Sequence, residues 1–247
     1  MLYFEIFGRY LLFLRACFRA PDKWRMFWKS FFVELYKMGN DSVSIVSIIS
    51  VFIGGVTVIQ FSSQLQGSLV PMTILGRIVR DANILEFSPT IIALVMAGKI
   101  GSNIASEIGT MKVSEQIDAL EIMGVNAASY VVLPKILAAF IALPALVIYS
   151  MFLSNLGGAL SCVVSGVVAL DTYFQGLRMD FDSFYITFAI TKAFVSAFLI
   201  STISAYNGYR TEGGALEVGS ASTAAVVQSC LAIICFDYIL TQIMLFK

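Results

Sequence analysis

The residues best placed to do chemistry are a few ionisable side chains within or next to long apolar segments. Lys192 lies in the middle of FAITKAFVSAF, and Asp237 lies in CFDYIL. Glu86 comes shortly before Pro89, where another apolar segment begins. Because an ionisable group inside a bilayer is costly, each of these residues is a candidate for a functional site. The alternative is a polar contact that only fixes the packing of helices.

The sequence lacks the residues that acid–base catalysis, metal binding or cysteine redox chemistry would need. The chain has no His, the commonest general base and metal ligand. Its cysteines lie apart, mostly in apolar stretches, and lack metal-binding or redox spacing, so we expect them to be buried apolar side chains. They are Cys17, Cys162, Cys230 and Cys235. We therefore predict no catalytic residue, no metal site and no cofactor.

Two classes of membrane protein can be weighed against these residues. A membrane-embedded enzyme acting on lipid would need a catalytic group, yet the sequence offers neither His nor a clustered carboxylate pair. A structural scaffold is the second alternative. The sequence also lacks a Gly-rich phosphate loop ending in Lys-Ser or Lys-Thr, so we do not expect this chain to bind ATP and Mg²⁺ itself.

The composition indicates an integral membrane protein. Of the 247 residues, 58% are hydrophobic and 13% are charged, about half the charged share of a typical soluble domain. The chain has 16 Lys and Arg residues and 16 Asp and Glu residues. It therefore has no net positive charge that would favour binding to nucleic acid. The expected fold is all-α, with one domain over residues 1–247 divided into an interfacial segment, 1–42, and a transmembrane bundle, 43–247.

The N-terminal segment predicts an amphipathic helix that lies in the membrane interface. Pro21 divides this segment. The apolar residues of its second half, at helical spacing, are Trp24, Phe27, Trp28, Phe31 and Leu35. Its interleaved basic residues are Arg25, Lys29 and Lys37. The basic excess places it in the cytoplasm, and the alternative is a short soluble helical arm.

Apolar length predicts five transmembrane helices, with a sixth possible. Their expected ranges are 43–61, 89–109, 131–170, 184–206 and 223–246. The third range is too long for one upright helix, so we expect a single tilted or kinked span ending in an irregular segment. Two spans or a re-entrant hairpin are the alternatives. Loops 64–88 and 171–183 then face outward, and loops 109–131 and 207–222 face the cytoplasm.

Small residues mark places where helices can pack closely. Gly54 and Gly55 permit close approach in the first span. In the second, Gly98, Gly101, Ala105 and Gly109 form a small-residue face. Lys99 and Glu107 lie eight residues apart, about two turns along a similar face. They could close an inner gate or orient the helix that follows.

That following helix, predicted at residues 115–120, mixes charged and apolar side chains. Glu115, Asp118 and Glu121 alternate with Leu120 and Met123. Gly124 can end the helix. An isolated short helix is marginal in water, so it either docks into a partner or remains a solvated loop helix.

Residues 98–135 resemble the signature of the MlaE (YrbE) permease family of ABC transporters. The matching positions are Gly98, Gly101, Ala105, Glu107, Gly109, Met111, Val113, Glu115, Gln116, Ile117, Asp118, Ala119, Leu120, Met123, Gly124, Val125, Tyr130 and Pro134. A second block matches over residues 207–227. The departures are Lys99 and Lys135 for Arg, Asn126–Ala127 for Asp-Pro, and Ser220 for Arg.

The resemblance implies a homodimeric phospholipid permease in the bacterial inner membrane, with a lipid cavity at the dimer interface. It implies an ABC ATPase partner similar to MlaF and a periplasmic MCE-domain partner similar to MlaD. A STAS-domain regulator similar to MlaB is a further possible partner. The family moves lipid between the inner and outer membranes.

The resemblance also assigns roles to individual residues. The ATPase-coupling residues are Glu115, Gln116, Asp118, Ala119, Leu120, Met123 and Gly124. The lipid-binding residues are Gln60, Glu86, Lys192 and Asp237. A lysine could hold a lipid phosphate as a point charge, and Glu86 could pair with Lys192 in the empty state. Leu85 stands where the family has an arginine, so contact with the headgroup is expected to differ.

Overall fold

The computed structural model describes residues 2–19, 24–65 and 71–245, with side chains from residue 8 onward. Every regular element in these ranges is a helix. This confirms the all-α prediction. Pro21, which was predicted to divide the N-terminal segment, lies outside the described residues.

Five helical runs in the described residues are long and apolar enough to cross a membrane. They are Trp24–Leu65, Thr73–Val113, Ala128–Ser165, Phe184–Tyr209 and Ala215–Leu245. The third is one continuous run of 38 residues. It ends before an irregular segment at residues 166–169. The prediction of one long third span is therefore confirmed, and the two-span and re-entrant alternatives are wrong.

Several helices extend beyond the predicted spans. Helix α1 covers Leu2–Cys17, and α2 covers Trp24–Leu65. The predicted interfacial helix and the first span thus form one helix, because no proline interrupts residues 24–65. The second run begins at Thr73 rather than at residue 89, since its first turns are too polar for an apolar-length criterion.

The second run changes its helix type along its length. It contains α3 (Thr73–Ala82), a π-helical segment (Asn83–Ile91) and α4 (Ile92–Met96). A second π segment (Ala97–Gly101) and α5 (Ser102–Val113) follow. Pro89 lies inside the first π segment. A proline ring clashes with the carbonyl four residues earlier in an α-helix, and the wider π turn accommodates it.

The remaining elements are connected by short segments. They are α6 (Gln116–Ile122), a third π segment (Ala128–Val132), α7 (Leu133–Ser165), α8 (Leu170–Arg178), α9 (Phe184–Tyr209) and α10 (Ala215–Leu245). The predicted fifth span started at residue 223. Helix α10 starts two turns earlier, in the polar loop.

The chain packs as two compact units, each formed by separate stretches of sequence. The first contains Met1–Asp41, Leu94–Leu143 and Val195–Ile239. The second contains Ser42–Ala93, Pro144–Phe194 and Leu240–Lys247. The prediction of one permease domain stays a prediction.

In the first unit, small residues bring α5 against the end of α9. A methyl group added at Gly101 would lie 2.9 Å from Ser204 Oγ. One added at Gly208 would lie 2.6 Å from the carbonyl oxygen of Ala105. A methyl group added at Gly109 would lie 3.2 Å from Thr211 Oγ1. The predicted small-residue face therefore packs against α9, although Gly98 departs from it: a methyl there would meet nothing within 4 Å.

In the second unit, glycines bring α2 and α7 into backbone contact. A methyl group added at Gly54 would lie 1.7 Å from the carbonyl oxygen of Ser154, and one at Gly157 would lie 2.2 Å from that of Val51. Ser50 Oγ donates a hydrogen bond to Ser150 Oγ at 2.8 Å. Residue numbers rise together along both helices, so α2 and α7 run in the same direction. This is expected because the run Thr73–Val113 crosses the membrane once between them, so α7 crosses in the same direction as α2.

The second unit also pairs α3 with α8 around a buried arginine. Arg80 is 4% exposed. Its guanidinium donates to the carbonyl oxygens of Leu177 at 2.8 Å and Met179 at 2.6 Å. It also lies 2.7 Å from a carboxylate oxygen of Asp81. Arg80 therefore caps the C-terminal carbonyls of α8.

The contact of α2 with α7 predicts different outcomes for two neighbouring glycines. Gly54→Ala forces the backbones apart, and overpacking of this kind costs about 1–3 kcal/mol. Gly55→Ala is the matched control, since its added methyl would lie 3.6 Å from the nearest atom, Ser161 Cβ. The apparent melting temperature in detergent should fall for Gly54→Ala and stay near the unmodified value for Gly55→Ala. Equal melting temperatures for the two variants would contradict this packing.

Candidate functional site

The main candidate site is an ion pair between Lys192 and Glu86 in the second unit. Lys192, on α9, is 2% exposed. Its Nζ donates to Glu86 Oε1 at 2.9 Å and to the carbonyl oxygen of Leu85 at 3.3 Å. The ammonium also lies 4.6 Å from the ring centroid of Phe188, which is within the range of a cation–π interaction. The structure thus brings together the two charges that the sequence proposed as partners.

The two members of the pair differ in their exposure. The Glu86 side chain is 44% exposed, whereas that of Lys192 is 2% exposed. Thr90 Oγ1 donates to the second carboxylate oxygen of Glu86 at 3.3 Å. The ammonium is therefore held inside the protein, and the carboxylate is the partner that opens to the surroundings. A second anion could approach the lysine from that side.

Sequence reasoning missed three of the groups around Lys192. Thr90 lies four residues after Glu86, and Phe188 lies four residues before Lys192, so helical spacing could have identified both. The sequence could not indicate the carbonyl of Leu85, because every residue has a backbone carbonyl. It shows that Leu85, noted only for the arginine that it replaces, contributes through its backbone.

The other two residues assigned to lipid lie on different helices. Gln60 is exposed near the C-terminal end of α2. Asp237 is half-buried on α10, in the first unit. Their role in binding lipid stays a prediction.

The second candidate site is α6, which follows α5 after a sharp turn. Glu115 adopts the left-handed conformation, with φ of 58°. For a residue other than glycine this costs about 1–2 kcal/mol, and it lets α6 leave the direction of α5. Gly124, with φ of 77°, ends the helix as predicted. The N–H of Gly124 donates to Glu121 O at 2.9 Å and that of Val125 to Leu120 O at 3.0 Å, which is a Schellman motif.

The charged side chains of α6 are bound within the first unit. Lys112 Nζ lies 2.5 Å from Asp118 Oδ1. Tyr209 Oη donates to Glu121 Oε1 at 2.6 Å. These bonds hold α6 to α5 and to the end of α9. Because Lys112 and Tyr209 lie outside the predicted helix, its sequence alone gave no sign of them.

The surface that α6 presents is partly apolar. Ile117 is buried, whereas Ile122 is 88% exposed and Met123 is 69% exposed. Leu120, which was assigned to ATPase coupling, is half-buried. The other exposed residues of this segment are Glu115, Gln116, Ala119, Glu121 and Gly124. An exposed apolar pair beside polar residues is typical of a docking surface.

A network of ion pairs joins three helices in the first unit. Lys135 on α7, 4% exposed, lies 2.5 Å from Glu34 Oε1 on α2 and 2.9 Å from Glu107 Oε2 on α5. Lys37 lies 3.3 Å from the same oxygen of Glu107. Lys99 donates to the backbone carbonyl of Asp41. Glu107 and Lys99 therefore hold α2, while their predicted roles in a gate or in orienting α6 stay predictions.

The cysteines show no arrangement that suggests chemistry. Within the described residues, no group of three or more His, Cys, Asp or Glu could hold a metal ion. Cys17 and Cys162 are buried as predicted, whereas Cys230 is half-buried and Cys235 is exposed, so the prediction of burial is wrong for Cys235. Burial raises the pKa of the Cys17 thiol to about 12, so this thiol stays protonated at neutral pH and is a poor nucleophile.

Sequence comparison relates this chain to known proteins. The family described as Permease MlaE matches residues 31–243. A "Probable ABC transporter permease protein" of Rickettsia bellii is 32% identical over 244 residues, covering 96% of this chain and 91% of the relative. A probable ABC transporter permease protein of Synechocystis is 33% identical over 213 residues, covering 85% and 80%.

A plant protein is similar to the same degree. The Arabidopsis thaliana protein "TRIGALACTOSYLDIACYLGLYCEROL 1, chloroplastic" is 33% identical over 224 residues, covering 89% of this chain and 63% of the relative. The family match extends from the first part of α2 almost to the end of α10. The chain is therefore a multi-pass membrane protein that belongs to the MlaE permease family.

Proposed function

We propose that this chain is the membrane subunit of an ATP-driven ABC transporter that moves phospholipid between the inner and outer membranes of a bacterium. The observation that carries the proposal is the buried ammonium of Lys192, paired with the half-exposed carboxylate of Glu86. A scaffold would need no such charge, because apolar packing is at least as stable. A path for an anionic headgroup does need one.

Exchange of partners explains how the site could accept a lipid. A buried ammonium left unpaired costs several kcal/mol, so Lys192 keeps Glu86 while the site is empty. A lipid phosphate that replaces Glu86 keeps the ammonium neutralised. The released carboxylate is already half-exposed, so it loses little by moving away. The name of the Arabidopsis relative contains that of a galactolipid, which also favours a lipid substrate.

The ATPase would act through α6. Its exposed Ile122 and Met123 fit an apolar groove on a partner, and the bonds to Asp118 and Glu121 pass its movement to α5 and α9. Helices α5 and α9 are in contact through Gly101 and Gly208, so they would shift together. Helix α9 carries both Tyr209 and Lys192.

The remaining partners follow from the family. We propose a homodimer with a periplasmic MCE-domain protein, and with a STAS-domain regulator as a further partner. Among the described spans, α10 is the least buried, as expected of a helix that a second copy covers. ATP and Mg²⁺ would bind to the ATPase subunit.

Loss of the buried ammonium should abolish capture of lipid. In vesicles containing a photoactivatable phospholipid, Lys192→Ala should reduce crosslinking to the region of α9 at least about tenfold, because the phosphate loses its charged partner. Lys192→Arg should retain part of the crosslinking. Lys29→Ala is the control, since Lys29 is an exposed lysine on α2. Crosslinking of Lys192→Ala at the unmodified level would contradict the proposed lipid path.

A polar change on α6 should separate ATP hydrolysis from transport. Ile122→Asp with Met123→Asp places two charges in the docking surface and leaves the bonds of Asp118 and Glu121 intact. The variant should insert into the membrane normally but lose lipid transport driven by the ATPase in reconstituted vesicles. Ile122→Leu with Met123→Leu is the matched control and should remain coupled. Normal transport by the Asp variant would rule out α6 as the coupling element.

A further inference from the structure

A basic cavity lies beside α1, away from the residues assigned to transport. Its volume is about 630 Å³. The residues that line it are Leu12, Arg15, Ala16, Arg19 and Asn126. Leu12, Arg15 and Ala16 lie on α1, and Arg19 lies two residues after the end of that helix. Asn126 lies just after the turn that ends α6. Among the described residues, no acidic side chain lines this cavity.

The walls of the cavity are fixed by hydrogen bonds. Asn126 Nδ2 donates to the carbonyl oxygen of Ala16 at 3.0 Å. Ser129 Oγ donates to the carbonyl oxygen of Arg19 at 2.6 Å. The first bond caps a C-terminal carbonyl of α1, and the second holds the chain two residues after that helix ends. Both donors come from the segment after α6. The cavity therefore has a defined shape before any ligand enters.

The two arginines of the cavity are both exposed. Arg15 lies on α1, whereas Arg19 lies two residues after the end of α1 at Cys17. In the part of the chain that the structure describes, neither guanidinium forms an ion pair. Arg77 and Arg80, in contrast, are each paired with aspartates. Two neighbouring guanidinium groups without a carboxylate favour an anion between them.

The chemistry of the site selects a phosphate group. Guanidinium groups bind phosphate oxygens through paired, charge-assisted hydrogen bonds. The adjoining Leu11 and Leu12 are 49% and 66% exposed, so apolar surface for an acyl chain lies beside the arginines. We propose that this cavity binds the phosphate of an anionic phospholipid as a second lipid site, separate from Lys192. Free phosphate shares the charge but would not use the leucines.

The position of the site gives it a regulatory role. A phosphate held by Arg15 and Arg19 would brace the end of α1 against Asn126, two residues after Gly124. The segment that ends α6 would then be held in place by a lipid from the surrounding membrane. Docking of the ATPase would depend on the anionic lipid content of that membrane.

The test is a ligand titration of the full-length chain in neutral detergent, read as the apparent melting temperature. Phosphatidylglycerol and inorganic phosphate are titrated separately. For Arg15→Gln with Arg19→Gln, the phosphatidylglycerol concentration that gives half of the rise in melting temperature should increase at least about tenfold. Arg25→Gln with Lys29→Gln is the matched control, because these exposed basic residues also lie four apart, on α2. This double substitution should leave the phosphatidylglycerol concentration at half of the rise unchanged.

Further variants separate this site from the proposed transport path. Lys192→Ala should keep the response that depends on the arginines, whatever its effect on transport. Arg15→Lys with Arg19→Lys keeps both charges and should recover most of the response, which excludes misfolding as the cause of the loss. Melting of the glutamine variant without ligand should match that of the unmodified chain.

The two ligands distinguish the source of the phosphate. A response to phosphatidylglycerol alone supports a lipid site that uses both the arginines and the leucines. An arginine-dependent response to inorganic phosphate of the same size shows that the cavity binds free phosphate and overturns the lipid assignment. The anion site itself is overturned if neither ligand raises the melting temperature, or if the glutamine variant responds like the unmodified chain.

Discussion

The burial of one ammonium group, that of Lys192, is the constraint on which the account of this protein depends. A lysine that is 2% exposed within apolar helices must have a negative partner. Glu86 supplies it, from a position 106 residues earlier in the chain. The π segment that carries Glu86 contains Pro89, so the helix here is neither a regular α-helix nor easily made into one. Irregular helical turns of this kind are frequent at functional sites.

Close backbone contacts hold the helices around both candidate sites. In the second unit, Gly54 and Gly157 allow α2 and α7 to meet without intervening side chains. In the first unit, Gly101 and Gly208 do the same for α5 and α9. Apolar side chains gain little from leaving lipid for another apolar surface, so van der Waals contact of small residues is the main attraction between such helices. Each pair of helices is therefore closely packed at these glycines.

The sequence predicted the number of spans and the charges of the main site, for a simple physical reason. Long apolar stretches and isolated charges are properties of single segments, and they need no knowledge of the fold. The bounds of the helices were less predictable, because a helix continues beyond its apolar part. Helix α2, for example, starts at Trp24 and not at residue 43. The sequence around Pro89 also did not indicate that this segment would form a π-helix rather than an α-helix.

The contacts of α6 show where sequence reasoning ends. Glu121 bonds to Tyr209, which is 88 residues away, so the sequence of the helix could not show which face is occupied. Leu120 and Met123 were both assigned to coupling, but Ile122, which was not, is the most exposed apolar residue of this segment. Gly124 was predictable, because a left-handed residue at the end of a helix is usually glycine.

The proposed exchange of Glu86 for a lipid phosphate at Lys192 can be tested by measuring a distance. Solid-state NMR of the chain with ¹⁵N-labelled lysine in phospholipid vesicles measures dipolar coupling between Nζ and ³¹P. We predict a coupling that corresponds to about 4 Å or less, the separation across a charge-assisted hydrogen bond, and its loss in Lys192→Ala. A coupling that is absent, or that persists unchanged in Lys192→Ala, would contradict it.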